Sequence, residues 1–192
     1  MRQAVSWLVA ALLAAAGWGQ EFKLGAKVSD FTLKDVSGTP VAFEKLKGKV
    51  TVIGFIATKC PISNDYNERM KALYQDYQGR GVRFVFINAN GTEPASEVAG
   101  HAQQNGFPFP VYKDDGNVVA DRFGAEYTPE VYALDQAGAI RYHGAIDDSR
   151  VAARIKAQHL RQALEAMLAG QGVETAQTRA FGCTIKRVKK AS

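Results

Sequence analysis

Cys60 and Cys183 are the only two thiols in a chain of 192 residues, one near the first third and one close to the end. Cys60 stands where a strand-like apolar run, Val50 to Ala57, meets an amphipathic helical pattern. A sulfur at a helix start faces backbone N–H groups that lack an intrahelical partner. Their partial positive charge favours the thiolate, the form that attacks disulfides, peroxides and metals. The residues thus predict a reactive sulfur at Cys60, with thiol–disulfide exchange, peroxide reduction and metal binding all open.

The elements that must hold it follow from periodicity. Phe31 and Leu33, a turn at 36–40, then Val41 and Phe43 predict a small hairpin. A buried strand over 50–57 leads to Cys60. Ile62, Tyr66, Met70, Leu73 and Tyr77 recur at helical spacing, which predicts one helix over 61–78 closed by Gly79 and Gly81. A second buried strand covers 82–89, followed by a helix over 94–104, a short strand at 108–112 and a helical turn at 117–123. A hairpin pairs 130–134 with 139–143, and Leu160, Ala163, Leu164, Met167 and Leu168 mark a last helix ended by Gly170. Alternating strands and helices, then a hairpin and a helix, predict an α/β domain with a mixed central sheet covered on both faces.

The chain opens on Met1-Arg2 and an uncharged stretch from Ala4 to Gly19, the pattern of a secretory signal peptide over 1–19. Cleavage is expected after Gly17-Trp18-Gly19, with Ala14-Ala15-Ala16 as a second choice. The stretch falls short of the roughly 20 residues a spanning helix needs, so no membrane span is expected after cleavage. Export to an oxidising compartment, the bacterial periplasm, would let the two cysteines pair. Hydrophobic residues at 46% and charged residues at 22% suit one soluble domain, placed at 20–170 with a tail at 171–192. The formal charge of +5 resides in that tail: Arg179, Lys186, Arg187, Lys189 and Lys190 outweigh it together with Arg2. Basicity confined to a tail predicts a solvated segment and no nucleic-acid partner. Asp147-Asp148 is expected as a solvated turn or helix cap, and Asn90-Gly91-Thr92 is a minimal glycosylation sequon.

Several segments resemble the thioredoxin superfamily, and most closely its peroxiredoxin-like branch of AhpC/TSA or redoxin type. They are Asp30-Phe31-Thr32-Leu33-Lys34-Asp35, Leu46-Lys47-Gly48-Lys49-Val50, Thr58-Lys59-Cys60-Pro61-Ile62-Ser63, Tyr127-Thr128-Pro129-Glu130 and the tail 180–186. The resemblance implies a thioredoxin fold with an N-terminal hairpin extension and a C-terminal tail. It implies a cis Pro129 facing the reactive sulfur, with Thr128, Pro129, Lys59, Pro61 and Ser63 around the substrate. Lys59 is expected as an exposed charge near the sulfur, and Ser63 as a bond to the helix start.

Departures from the family pattern narrow the chemistry. Ser63 replaces the second cysteine of Cys-x-x-Cys, so Cys60 keeps the attacking position and loses its local partner. Peroxiredoxins place their peroxide-reducing cysteine where Ser63 stands. Relative to Cys60, their upstream Pro and Thr fall on Ile53 and Ala57, which offer no side-chain donors to a leaving oxygen. Cys183 is then the only candidate to resolve a mixed disulfide on Cys60. The alternative is a permanent clamp, worth roughly 4–5 kcal/mol for a loop of that length in the chain-entropy model. Copper binding would need both thiolates and one of His101, His143 or His159, which lack ligand spacing; no metal and no other cofactor is expected. Three functions follow: an exported thiol–disulfide oxidoreductase, a thiol peroxidase of unusual geometry, or a non-catalytic binding module. The first is preferred, with a thiol or disulfide on a protein or small molecule as partner; oligomeric state is not written in the sequence.

Overall fold

The computed structural model describes residues 21–189; the expected signal peptide 1–19 and Lys190 lie outside the described residues. Nine strands and five helices follow one another in the described part: β1 (Thr32–Lys34), β2 (Pro40–Ala42), β3 (Val50–Phe55), α1 (Pro61–Asp65), α2 (Asn67–Tyr77), β4 (Val82–Asn88), α3 (Ala95–Gln104), β5 (Val111–Lys113), α4 (Val118–Phe123), β6 (Tyr127–Thr128), β7 (Glu130–Leu134), β8 (Ile140–Gly144), α5 (His159–Leu168) and β9 (Cys183–Thr184).

Seven strands form one mixed sheet in the order β2-β1-β5-β4-β3-β7-β8. β3 runs parallel to β4 and antiparallel to β7, so it is central and all six of its residues are buried. Alternation along each strand sends side chains to two cores. Val82, Phe84 and Phe86 join Val50, Val52, Met70, Leu73, Val98, Leu160 and Leu164 beneath α2, α3 and α5. Val85 and Ile87 join Ile53, Phe55, Phe31, Leu33, Val119 and Phe123 beneath α4 and the N-terminal hairpin. This is the expected two-faced mixed sheet, hairpin included.

Three expectations are corrected. The helix over 61–78 is two helices, because Tyr66 breaks it with backbone angles of −95° and −3°. Tyr66 is buried there and donates its hydroxyl to Asp147 at 3.0 Å. Asp147 is therefore no solvated turn: it is buried and receives Arg69 Nη1 at 2.8 Å. The tail, finally, is docked along the domain. His143 N donates to Ala176 O at 3.0 Å, Thr178 N to His143 O at 3.0 Å, and Ile185 N to Glu126 O at 2.9 Å. Arg187 pairs with Asp121 at 2.8 Å. Apolar side chains drive this docking: Phe181 packs on the α2 core and Ile185 is buried in the α4 core.

Candidate functional site

The end of β3 delivers the chain to a loop over 56–60, whose last residue begins α1. Cys60 is the N-cap, with extended backbone and Pro61 just behind it at the first helical position, where a missing N–H costs nothing. Its Sγ accepts the Ser63 N–H at 3.2 Å. Ser63 is 1% exposed and its Oγ accepts the Ala57 N–H at 3.1 Å, so it binds the loop to the helix start as expected. Pro61 itself is exposed.

Cys60 is 4% exposed and forms a disulfide with Cys183, the Cα atoms lying 5.8 Å apart. The two-residue strand β9 puts Cys183 there by pairing antiparallel with β6, Thr128 opposite Cys183 and Tyr127 opposite Thr184. The Thr128–Pro129 peptide bond is cis. The Thr128 carbonyl oxygen lies 3.3 Å from Cys60 Sγ, where it would accept the proton of a reduced thiol. Glycine at 182 permits this approach, since a Cβ there would fall on the Thr128 carbonyl, 2.7 Å from its carbon. Cys60, Cys183, Ser63, Thr128 and Pro129 thus converge on one place.

Lys59 is an exposed charge as expected, yet its ammonium pairs with Glu97 at 2.8 Å. Nearby, Glu93 is 3% exposed and accepts the Thr58 N–H at 2.9 Å and the Lys59 N–H at 3.1 Å. The Asn88 side-chain amide donates to the same carboxylate at 2.5 Å. Burial raises the Glu93 pKa, but these hydrogen bonds to the charged form outweigh it and hold the carboxyl below its usual range. Across the site, buried Glu130 accepts the N–H groups of Glu126 and Tyr127 at 2.8 and 2.9 Å, fixing the approach to β6. It also faces His143 Nε2 at 2.6 Å, and its pKa too is lowered despite burial, chiefly by that histidine.

Sequence reasoning did not single out Glu93, Asn88, Lys113 or Glu130 beyond the last one's place in a motif. Each is an isolated polar residue whose partners come from other elements. Two of the histidines weighed for copper are otherwise engaged: His101 Nε2 lies 2.9 Å from Asn64 Oδ1 and His143 binds Glu130. Among the described residues no group of three or more His, Cys, Asp or Glu could hold a metal. No helix among them is long and apolar enough to cross a membrane. Asn90 of the sequon is buried in the folded chain, and its Oδ1 accepts Lys186 N–H at 2.7 Å.

The arrangement can do one kind of chemistry directly. A thiolate that attacks the Cys60–Cys183 bond forms a new disulfide with one sulfur and releases the other as a thiolate. If Cys60 is the one released, the Ser63 N–H is already in place to stabilise it.

The thiol-disulfide oxidoreductase ResA of Halalkalibacterium halodurans is 30% identical over 118 residues, covering 62% of this chain and 66% of that protein, just under two thirds of its length. An uncharacterized conserved protein from Geobacillus kaustophilus superposes with a TM-score of 0.82 at 34% identity, over 88% of this chain and 95% of that one. A protein assigned as thiol:disulfide interchange protein DsbE, from Chlorobium tepidum, shares the fold with a TM-score of 0.65 at 20% identity, over 77% and 99% of the two chains. The fold is that of thioredoxin. The AhpC/TSA family profile matches residues 24–143, most of the folded body on which Cys60 and the Thr128–Pro129 turn are set. This chain is a member of the AhpC/TSA family.

Proposed function

We propose that this protein is an exported thiol–disulfide oxidoreductase in which Cys60 and Cys183 cycle between a disulfide and a dithiol. The observation that carries the reading is the seat of Cys183: it is strand-paired to Thr128, beside Pro129, with its sulfur bonded to Cys60. In the oxidising direction Cys60 thiolate attacks a partner disulfide, taking one of its sulfurs and releasing the other. Cys183 thiolate then attacks the mixed disulfide at Cys60 and expels the second partner sulfur. The partner leaves as a dithiol and this protein carries the disulfide, so two electrons have passed and no cofactor is required. Ser63 N–H, Thr128 and Pro129 line the sulfur, Pro61 sets the helix start, and Lys59 supplies surface charge beside it. The partner is a thiol or disulfide on a protein or a small molecule. We place the mature domain at 20–170 and its cysteine-bearing tail at 171–192, with 1–19 removed on export to the periplasm of a bacterium.

A redox titration of the mature protein against defined dithiol buffers, with peptide mapping, tests this. A potential above about −230 mV lies among exchanging disulfides, and one below about −300 mV marks a structural clamp and overturns the cycle. Cys60→Ser should abolish exchange. Peroxide consumption by wild type, lost in the same variant, would select the peroxidase instead; binding retained in that variant with no turnover in either would select a non-catalytic module.

A further inference from the structure

One buried cation ties together the two segments that carry the cysteines. Lys113, the last residue of β5, is 4% exposed. Its ammonium donates to Asn88 Oδ1 at 2.8 Å, to Asn90 O at 3.1 Å and to Glu93 O at 2.7 Å. Three protons meet three acceptors, all on residues 88–93, the end of β4 and the loop that leaves it. That loop in turn grips both halves of the site. Glu93 holds the Thr58 and Lys59 N–H groups, immediately before Cys60. Asn90 Oδ1 holds Lys186 N, and Gly91 N donates to Lys186 O at 2.8 Å, three residues beyond Cys183. The fit is close at this second grip, since a Cβ on Gly91 would stand 2.5 Å from Val188.

We propose that Lys113 is a positioning residue for the redox couple: by fixing loop 88–93 it sets the Cys60 segment and the Cys183 segment at bonding distance. This rests on the reading of those cysteines as a couple. Its consequence concerns the effective concentration of one thiol at the other, since a small misplacement between two reacting groups costs orders of magnitude. The loop is a bridge because its two grips face different segments, while Lys113 bonds only the loop itself.

The test is the equilibrium constant for disulfide formation in the full mature chain, measured against reduced and oxidised glutathione. Lys113→Met removes the three donors with little change of length. The expected result is a fall of at least about tenfold in that constant, which is about 30 mV. Leu164→Ala, which opens a cavity beneath α5 and removes no hydrogen bond of the loop, serves as the control. It should lower the thermal midpoint comparably and leave the constant within about twofold. A Lys113→Met constant within twofold of wild type, or no lower than the control's, overturns the proposal. If Lys113→Met does not fold, Asn90→Ala and Glu93→Gln carry the test by cutting one grip each. Both should lower the constant, and two values within twofold of wild type refute the bridge. This constant exists whether or not a partner is turned over, so its outcome is separate from that of the turnover assay.

Discussion

Gly182→Ala should make the disulfide easier to reduce. The glycine lies in the tail just before Cys183, and a Cβ at that position meets the Thr128 carbonyl, with its carbon at 2.7 Å and Pro129 N at 3.3 Å. All of these are backbone atoms held by the β6–β9 pairing, so no side chain can swing away to relieve the overlap. Forcing a methyl group into a packed site costs about 1–3 kcal/mol. The oxidised protein must bear that cost, because the bond to Cys60 keeps Cys183 seated. The reduced protein can back the tail away from Thr128 and escape it. The penalty therefore falls on the oxidised state, and the potential rises by about 20–65 mV at 30 mV per 1.4 kcal/mol. Redox equilibration with glutathione, quantified by alkylation and mass, measures the change directly. Gly172→Ala, at a position where an added Cβ meets nothing within 4 Å, should leave the potential alone. A Gly182→Ala potential within about 10 mV of wild type would refute the claim that this contact governs docking of the cysteine.

Other consequences are measurable by unfolding and titration. Asp147→Ala removes the buried acceptor of the Tyr66 hydroxyl, while Arg69 keeps the Ser149 and Arg150 carbonyls, and should cost about 1–3 kcal/mol in urea unfolding; a loss below about 0.5 kcal/mol would mean water replaces the carboxylate fully. Cys183→Ser opens a loop spanning 123 positions and should lower stability by about 2–5 kcal/mol under oxidising conditions, with no difference from wild type once both are reduced. Glu93 and Glu130 both have folded pKa values below the ordinary 4.5, so their stabilisation is complete above that value and is lost as pH falls through the folded values. These two contributions should thus stay constant above that value and decline on acidification, and Glu130→Gln should flatten the acid limb by up to about 1.4 kcal/mol per pH unit; an unchanged slope would remove Glu130 from the linkage.

The order of strands and helices was legible because two-residue and helical periods are written into single segments. Val82 to Asn88 alternates between two cores, and Leu160, Ala163 and Leu164 recur on one helix face. The break at Tyr66 was not legible, since the partner of its buried hydroxyl, Asp147, stands 81 residues away. The same applies to the seat of Cys183. Two cysteines and a Gly-Cys pair suggested a couple or a clamp, but the register of Cys183 on Thr128 depends on a pairing between two-residue strands. Periodicity has no hold on elements so short. The basic residues misled for a related reason: formal charge counts do not reveal that Arg187 has Asp121 as a partner.

The docked tail has one more consequence, for the solution behaviour of the protein. β8 is one of the two edge strands of the large sheet, and an uncovered strand edge is a template for pairing with other chains. Here the tail lies along part of that edge, bridging in parallel at His143 and Gln177, with His143 N and O both satisfied by it. It also covers β6, the short edge beside Cys60. The segment that brings the second sulfur therefore also keeps two strand edges from meeting a neighbour. A chain ending at Gly170 would present both edges at once, and its first symptom should be self-association, visible by light scattering before any loss of secondary structure.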